Sequence, residues 1–133
     1  MLVVDASCLY EVVADTPHSE AIRHRLATDT DHAAPHLIDA EVLGVIRRHR
    51  LSGALDPSSA AQAVEDLADW PGERYGHRTL LGRAWELRDT VRSWDALYVS
   101  LAEALGATLV TTDARLAGAS GPQCRIDVIG RAS

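Results

Sequence analysis

Short apolar runs alternate with longer stretches of helical spacing along the chain. Leu2-Val3-Val4 predicts a buried strand that closes at Asp5, and from Ser7 onward Leu9, Val12 and Val13 predict a helix. Thr16-Pro17 has the form of an N-cap followed by a first helical residue, which predicts a second helix to about Ala27. After the polar loop at 28–31, Ala33-Ala34-Pro35 closes a second strand. Leu37 to Leu51 then predicts a long helix with Ile38, Val42, Val45 and Ile46 inward, stopped by Ser52-Gly53. Asp56-Pro57 opens another helix carrying Ala60, Ala63, Val64 and Leu67, which ends near Trp70-Pro71-Gly72. Glu73 to Tyr75 is a third strand with a weak signal, and Leu80 to Leu87 a further helix.

The segment from Arg92 to Leu116 has the clearest pattern. Leu97, Leu101 and Leu105 stand four apart and mark the buried face of a helix, with Ser93 as its N-cap, Asp95 in its first turn and Gly106 as its stop. Thr108 to Thr111 predicts a strand running into Thr112-Asp113, and Asp113 has the character of a cap for a short helix at Ala114 to Ala117. A turn at 119–122 leads to a last strand, Arg125 to Ile129.

Strands alternating with helices across short polar loops predict right-handed crossovers, hence an α/β fold with a parallel sheet covered on both faces. Functional groups in such sheets gather beyond the carboxyl ends of the strands. Asp5 and Asp113 are expected there, at the ends of the first and fourth strands. An ordinary crossover is expected to leave Asp95 at the opposite edge, unless its helix lies across the top of the sheet after an irregular segment at 88–92.

A length of 133 residues fits one domain, 1–133, able to bury its core without a disulfide or structural metal. With 47% hydrophobic and 24% charged residues the composition is that of an ordinary globular protein. No apolar stretch reaches the length of a membrane span, and Asp5 interrupts the N-terminal run before it forms a signal-peptide core, so no membrane association and a cytoplasmic location are expected. Cys8 and Cys124 lack metal-ligand spacing and are expected as buried free thiols. The net charge of −6 excludes a broad basic surface for coating nucleic acid. It leaves room for a nuclease, because a carboxylate site adds negative charge that a bound cation neutralises. All 13 basic residues are arginine, and lysine is absent.

Singly, Asp5, Asp95 and Asp113 each have a structural reading at a helix N-terminus. Glu41 lies close to the buried stripe of Ile38, Val42 and Val45, where the structural reading is a boundary glutamate paired with Arg47 or Arg48. Gathered near one strand edge, four carboxylates would raise each other's pKa, a penalty that a divalent cation removes. Carboxylate oxygens with retained waters are what Mg²⁺ or Mn²⁺ prefers. Such an ion lowers the pKa of a bound water and stabilises charge on a phosphoryl oxygen, which makes phosphodiester hydrolysis the natural reaction.

Leu2-Val3-Val4-Asp5-Ala6-Ser7, the stretch from Pro35 to Glu41 continuing through Val42-Leu43 to Arg47-Arg48, Trp94-Asp95-Ala96-Leu97-Tyr98-Val99-Ser100-Leu101-Ala102-Glu103, and Leu109-Val110-Thr111-Thr112-Asp113 resemble the PIN domain, and more closely the VapC toxins of bacterial toxin–antitoxin pairs. The resemblance covers most of the chain, while residues 52–88 contribute only length and helical character. It implies a PIN-like three-layer α/β/α sandwich with a central parallel sheet. It also implies a metal-dependent endoribonuclease that hydrolyses RNA phosphodiesters through a metal-bound water, with Mg²⁺, or Mn²⁺ in its place, as cofactor. Matched residue by residue, the family's acidic positions fall on Asp5, Glu41, Asp95 and Asp113, which would be both the catalytic set and the metal ligands. Thr111 and Ser7 fall where hydroxyls support the site. Asp39 competes with Glu41, but the helical register and the motif favour Glu41. Where many relatives carry a further acid, Leu116 and Ala117 stand, which weighs against a full second-metal site. The resemblance further implies a helix start at Asp95 that reaches the other acids, a homodimer, and a cognate VapB-type antitoxin that neutralises the toxin.

Arg47, Arg48, His49 and Arg50, with Arg88 and Arg92, are candidates for gripping RNA phosphates, against a reading as solvated helix surface. Tyr10, Trp94 and Tyr98 are candidates for base stacking, against core or dimer contacts. The six histidines are scattered without ligand spacing. A phosphoacceptor receiver domain and a haloacid-dehalogenase-type phosphatase both need a lysine that this chain lacks. The remaining alternative is a non-catalytic PIN-like module that binds RNA or protein.

Overall fold

Leu2–Val4 (β1) lies at the centre of a five-stranded sheet, and the computed structural model, which describes residues 1–130, builds outward from it on both sides. His32–Pro35 (β2) and Glu73–Tyr75 (β3) extend one side, Thr108–Thr111 (β4) and Ile126–Val128 (β5) the other, giving the order β3-β2-β1-β4-β5. Every pairing is parallel, with Val3 opposite Ala33 on one side and Leu109 on the other. A parallel sheet is covered on both faces, so its central strands need apolar side chains throughout rather than alternately. Val3, Val4, Leu109 and Val110 are fully buried accordingly.

Ala6–Val13 (α1), Ser19–Leu26 (α2), Leu37–Ser52 (α3) and Pro57–Asp69 (α4) connect β1 to β2 to β3, and α1 packs against α2, α3 and α4. Leu81–Glu86 (α5) and Ser93–Leu105 (α6) return the chain from β3 to β4, with α6 packed on β1, β2 and β4. Because right-handed crossovers running in opposite directions along a sheet fall on opposite faces, the two helix groups form the outer layers of an α/β/α sandwich. The expected fold class therefore holds. Ala114–Ala117 (α7) links β4 to β5.

Several elements differ from expectation. The second helix starts at Ser19 rather than after Thr16: the Thr16 side chain turns back to donate to Glu11, and His18 holds the N-cap position without a side-chain cap bond. Arg92, not Ser93, is the N-cap residue of α6, in an extended conformation, and Ser93 is already helical. The helix expected at 80–87 is split into a 3₁₀ turn, Arg78–Leu80, and the short α5. The last strand is shorter, Ile126–Val128.

The expectation for Asp95 at the far edge is also wrong, for a geometric reason. A crossover helix runs antiparallel to the strands it joins, so its N-terminus lies at the carboxyl edge of the sheet and only its C-terminus lies near the start of the next strand. Asp95, in the first turn of α6, thus reaches the same edge as Asp5 and Asp113 with no special placement. Gly106, at φ 63°, ends α6 in the left-handed region and turns the chain into β4.

Candidate active site

The site begins where β1 and β4 end side by side and their chains leave toward opposite neighbours, the switch point of the sheet. Asp5 still takes part in the ladder, its N–H donating to the Val110 carbonyl at 3.2 Å. Its extended backbone then lets the carboxylate cap α1, with Oδ1 accepting from Cys8 N at 3.0 Å and from Ser7 Oγ at 2.6 Å. Across the strand gap, the fully buried Thr111 hydroxyl donates to Asp5 Oδ2. Thr111 Oγ1 in turn accepts from Asp113 N at 3.0 Å, and Ser7 Oγ accepts from Thr112 N at 3.2 Å. Two hydroxyls therefore bind the β1–α1 and β4–α7 junctions together around one buried acid. Burial pushes the Asp5 carboxyl above its ordinary range, and these hydrogen bonds offset only part of that.

Asp113 caps α7 through Oδ1, which accepts from Arg115 N at 2.9 Å. Asp95 approaches from α6. Burial raises its carboxyl first, the charges of Asp5 and Asp113 raise it further, and Arg92 and Arg115 oppose them. Glu41 comes from α3, where its Oε1 accepts from the Tyr98 hydroxyl at 2.6 Å. Burial raises the Glu41 carboxyl, the Tyr98 bond pulls it down, and the charges of Asp95 and Asp5 push it up again. Asp5, Glu41, Asp95 and Asp113 line one open cleft of about 700 Å³, with Ser7, Tyr98 and Trp94 in its wall. The candidate acids are brought together from four separate segments.

Asp39, the rival of Glu41, faces elsewhere and pairs with Arg74, whose Nη2 donates to Oδ1 at 2.9 Å and whose Nε donates to Oδ2 at 3.2 Å. Glu41 takes Tyr98 as partner instead of Arg47 or Arg48. Of the basic turn, Arg48 and His49 reach the cleft wall. Tyr98 is only 1% exposed, so it belongs to the core and not to a stacking surface; burial and the Glu41 bond hold its phenol protonated. Tyr10 is buried with its hydroxyl bonded to His49 Nδ1, and the two rings meet edge to face at 5.0 Å. Trp94 remains 59% exposed. Cys8 is buried and its thiol is raised by that burial and by the Asp5 charge, while Cys124 is half-buried rather than buried.

Glu11 also lines the cleft and was not singled out from sequence. The signal available was its spacing: Ser7 and Glu11 are four apart on α1, so one hydroxyl on the cleft face places the other residue there too. Tyr98 gave a similar signal, since a phenol on a buried helix face requires a partner for its hydroxyl.

Hard carboxylate oxygens suit a divalent cation, and each ionised carboxylate keeps acceptor capacity beyond the bonds described. Among the described residues, no group of three or more His, Cys, Asp or Glu side chains is set to enclose a metal ion by itself. Mg²⁺, which keeps several of its waters and is held through only one or two carboxylates, does not require such a group, and the chemistry of the cleft's carboxylates suits it.

A parallel α/β sandwich with an acidic cleft at its switch point is the class that this geometry defines. Residues 2–121 match the sequence profile of the PIN domain. The chain is 46% identical over 119 residues to "Ribonuclease VapC3" of Mycobacterium tuberculosis, covering 89% of this chain and 86% of that one. It is 38% identical over 128 residues to "Ribonuclease VapC1" of the same organism, covering 96% of each. Among solved structures, a Pyrobaculum aerophilum protein superposes with a TM-score of 0.66 at 27% identity, over 96% of this chain and 83% of that one. VapBC2 from Rickettsia felis, solved bound to a DNA fragment from its promoter, superposes with a TM-score of 0.68 at 16% identity, over 96% and 97%, which bears on the fold alone. The chain belongs to the PIN domain family and, within it, to the VapC type.

Proposed function

We propose that this protein is a Mg²⁺-dependent endoribonuclease, with Mn²⁺ as a substitute, that cuts RNA phosphodiesters in the cleft at the switch point. The convergence of Asp5, Glu41, Asp95 and Asp113 into that cleft carries the reading. Burial raises the carboxyls of Asp5, Glu41 and Asp95, and neighbouring carboxylate charge adds to it at Glu41 and Asp95, which is the electrostatic setting that a bound cation relieves. Asp5, Asp95 and Asp113 foremost, with Glu41, would surround the ion, one or two of them in direct contact and the others through its retained waters. A divalent ion bound there would supply an activated water and neutralise charge on the phosphoryl group.

The chain's own groups do the positioning. Ser7, Cys8 N and Thr111 hold both oxygens of Asp5, so its carboxylate keeps one orientation. Tyr98 does the same for Glu41 from the opposite helix layer. Arg48, exposed at the cleft wall, is placed to meet an RNA phosphate. The names of its relatives support a toxin restrained by a VapB-type antitoxin; that the protein is a cytoplasmic homodimer is part of the same proposal. No helix among the described residues is long and apolar enough to cross a membrane.

The test is to incubate purified protein, freed of any copurified partner, with total RNA with and without magnesium and to map new ends. New ends that depend on magnesium and vanish in the Asp95→Asn protein are the expected result. RNA binding without any new ends would instead assign the chain to non-catalytic PIN-like modules that bind RNA or protein.

A further inference from the structure

Trp94 lines two concavities at once. Its indole closes one side of the acidic cleft and also one end of a second groove, of about 530 Å³, between α5 and α6. Leu81, Trp85 and Leu97 supply apolar wall there, and among the described residues the charged side chains lining the groove are Arg88 and Arg92. Trp85 is 68% exposed and Trp94 59%, although indoles lose most by facing water. The Arg88 guanidinium lies 4.5 Å above the Trp85 ring, a cation–π stack at the surface. In a chain of net charge −6, this strip combines two open aromatic faces with two arginines.

From this juxtaposition we infer that the groove between α5 and α6 is a platform for single-stranded RNA, which carries the strand out of the acidic cleft by stacking bases on Trp94 and Trp85 while Arg88 and Arg92 meet its phosphates. The inference rests on the proposed ribonuclease function and names the form of its substrate. Two features favour RNA over a protein as the occupant. An apolar protein face laid over the groove would take two guanidinium groups out of water and bring them no new anionic partner, whereas a nucleic acid strand brings a phosphate for each base. The groove also adjoins the cleft, with Trp94 lining both, so a strand leaving the cleft over that indole would meet the groove next. Sequence-tolerant stacking on aromatic rings beside basic side chains is how single strands are held in general. A duplex keeps its bases stacked on one another and offers these rings nothing.

The experiment measures binding, so that it does not depend on cleavage. In an Asp95→Asn background with magnesium, fluorescence anisotropy follows a labelled single-stranded RNA oligonucleotide, its duplex, and an abasic strand of the same length. Trp85→Ala should weaken binding of the single strand about 5- to 100-fold, the loss of one stacked base, and change binding of the duplex and the abasic strand little. Trp85→Phe should recover much of the affinity. Light scattering on both variants and titration with an antitoxin accompany the measurement. Equal single-strand affinity for Trp85→Ala and its parent would overturn the platform while leaving the nuclease reading intact. A Trp85→Ala protein that changes from dimer to monomer, or that loses only its affinity for antitoxin, would overturn it too, by assigning the groove to a protein. If the parent binds no RNA at all, both readings fall.

Discussion

The Tyr98 hydroxyl donates to Glu41 Oε1 at 2.6 Å, joining α6 to α3 across the carboxyl edge of the sheet that separates them. These two helices lie on opposite faces, so this bond ties the outer layers directly, and it ends on a candidate metal ligand. Tyr98→Phe removes the donor and keeps the ring. It should cost about 1–2 kcal/mol, since the acceptor is charged and half-buried, and should weaken magnesium binding through a less fixed Glu41. Denaturant unfolding and calorimetric titration with magnesium check the two effects, and wild-type values in both would refute the role given to this bond.

Thr111→Val strips the buried Asp5 Oδ2 of its donor and Asp113 N of its acceptor while conserving shape. A loss of about 1–3 kcal/mol in unfolding free energy is expected. RNA cleavage should fall with it, because the variant loosens the orientation of the buried Asp5. A variant as stable and active as the parent would show that the two hydroxyl bonds are incidental.

Asp95 carries a carboxyl raised by burial and by the charges of Asp5 and Asp113, and the sign of the resulting pH dependence is fixed. A group that ionises less readily folded than unfolded opposes folding once the unfolded chain has lost its proton. The penalty sets in as pH rises past the ordinary value of 3.8 and is complete above the raised folded value. Without metal at neutral pH, Asp95→Asn should therefore melt on the order of a few degrees higher than the parent, and the gap should close as the pH is lowered toward 4. A gap that stays constant across that range would remove the electrostatic explanation. The same variant should have no detectable cleavage.

Magnesium should raise the melting temperature of the native protein by mass action. At ten times the dissociation constant the linkage amounts to about 1.4 kcal/mol. A variant with Asp5, Asp95 and Asp113 all changed to asparagine should show almost no shift. Equal shifts in the two proteins would place the ion elsewhere.

Asp39→Asn serves as the contrast to Glu41. Its carboxylate is 45% exposed and pairs with Arg74 away from the cleft, so its loss should cost at most about 1 kcal/mol and leave cleavage unaltered. A strong loss of cleavage would reverse the choice between the two acids.

Most elements were legible because their signals are local. Gly53 and Gly106 stop their helices in left-handed conformations, Asp56 caps α4 by accepting from Ser59 N at 2.7 Å, and the apolar runs of β1 and β4 form the centre of the sheet. The failures are also local in origin. Thr16 fits an N-cap by type, but its hydroxyl found a partner five residues back on the previous helix, and that bond outweighed the preference. Ser93 yielded the cap position of α6 to Arg92.

What the chain alone determined is the alternation that makes a parallel sheet, and the acids that stand where strands end and helices begin. Periodicity and capping depend on neighbours within a few positions, so they survive without knowledge of the fold. Only the tertiary structure decided which acids share a cleft. It sent Asp39 to Arg74, turned Glu41 to Tyr98 and brought Asp95 to the edge where Asp5 and Asp113 already stood. Those outcomes follow from the direction in which a crossover helix runs and from which buried donors need acceptors, and neither is fixed until the layers have packed.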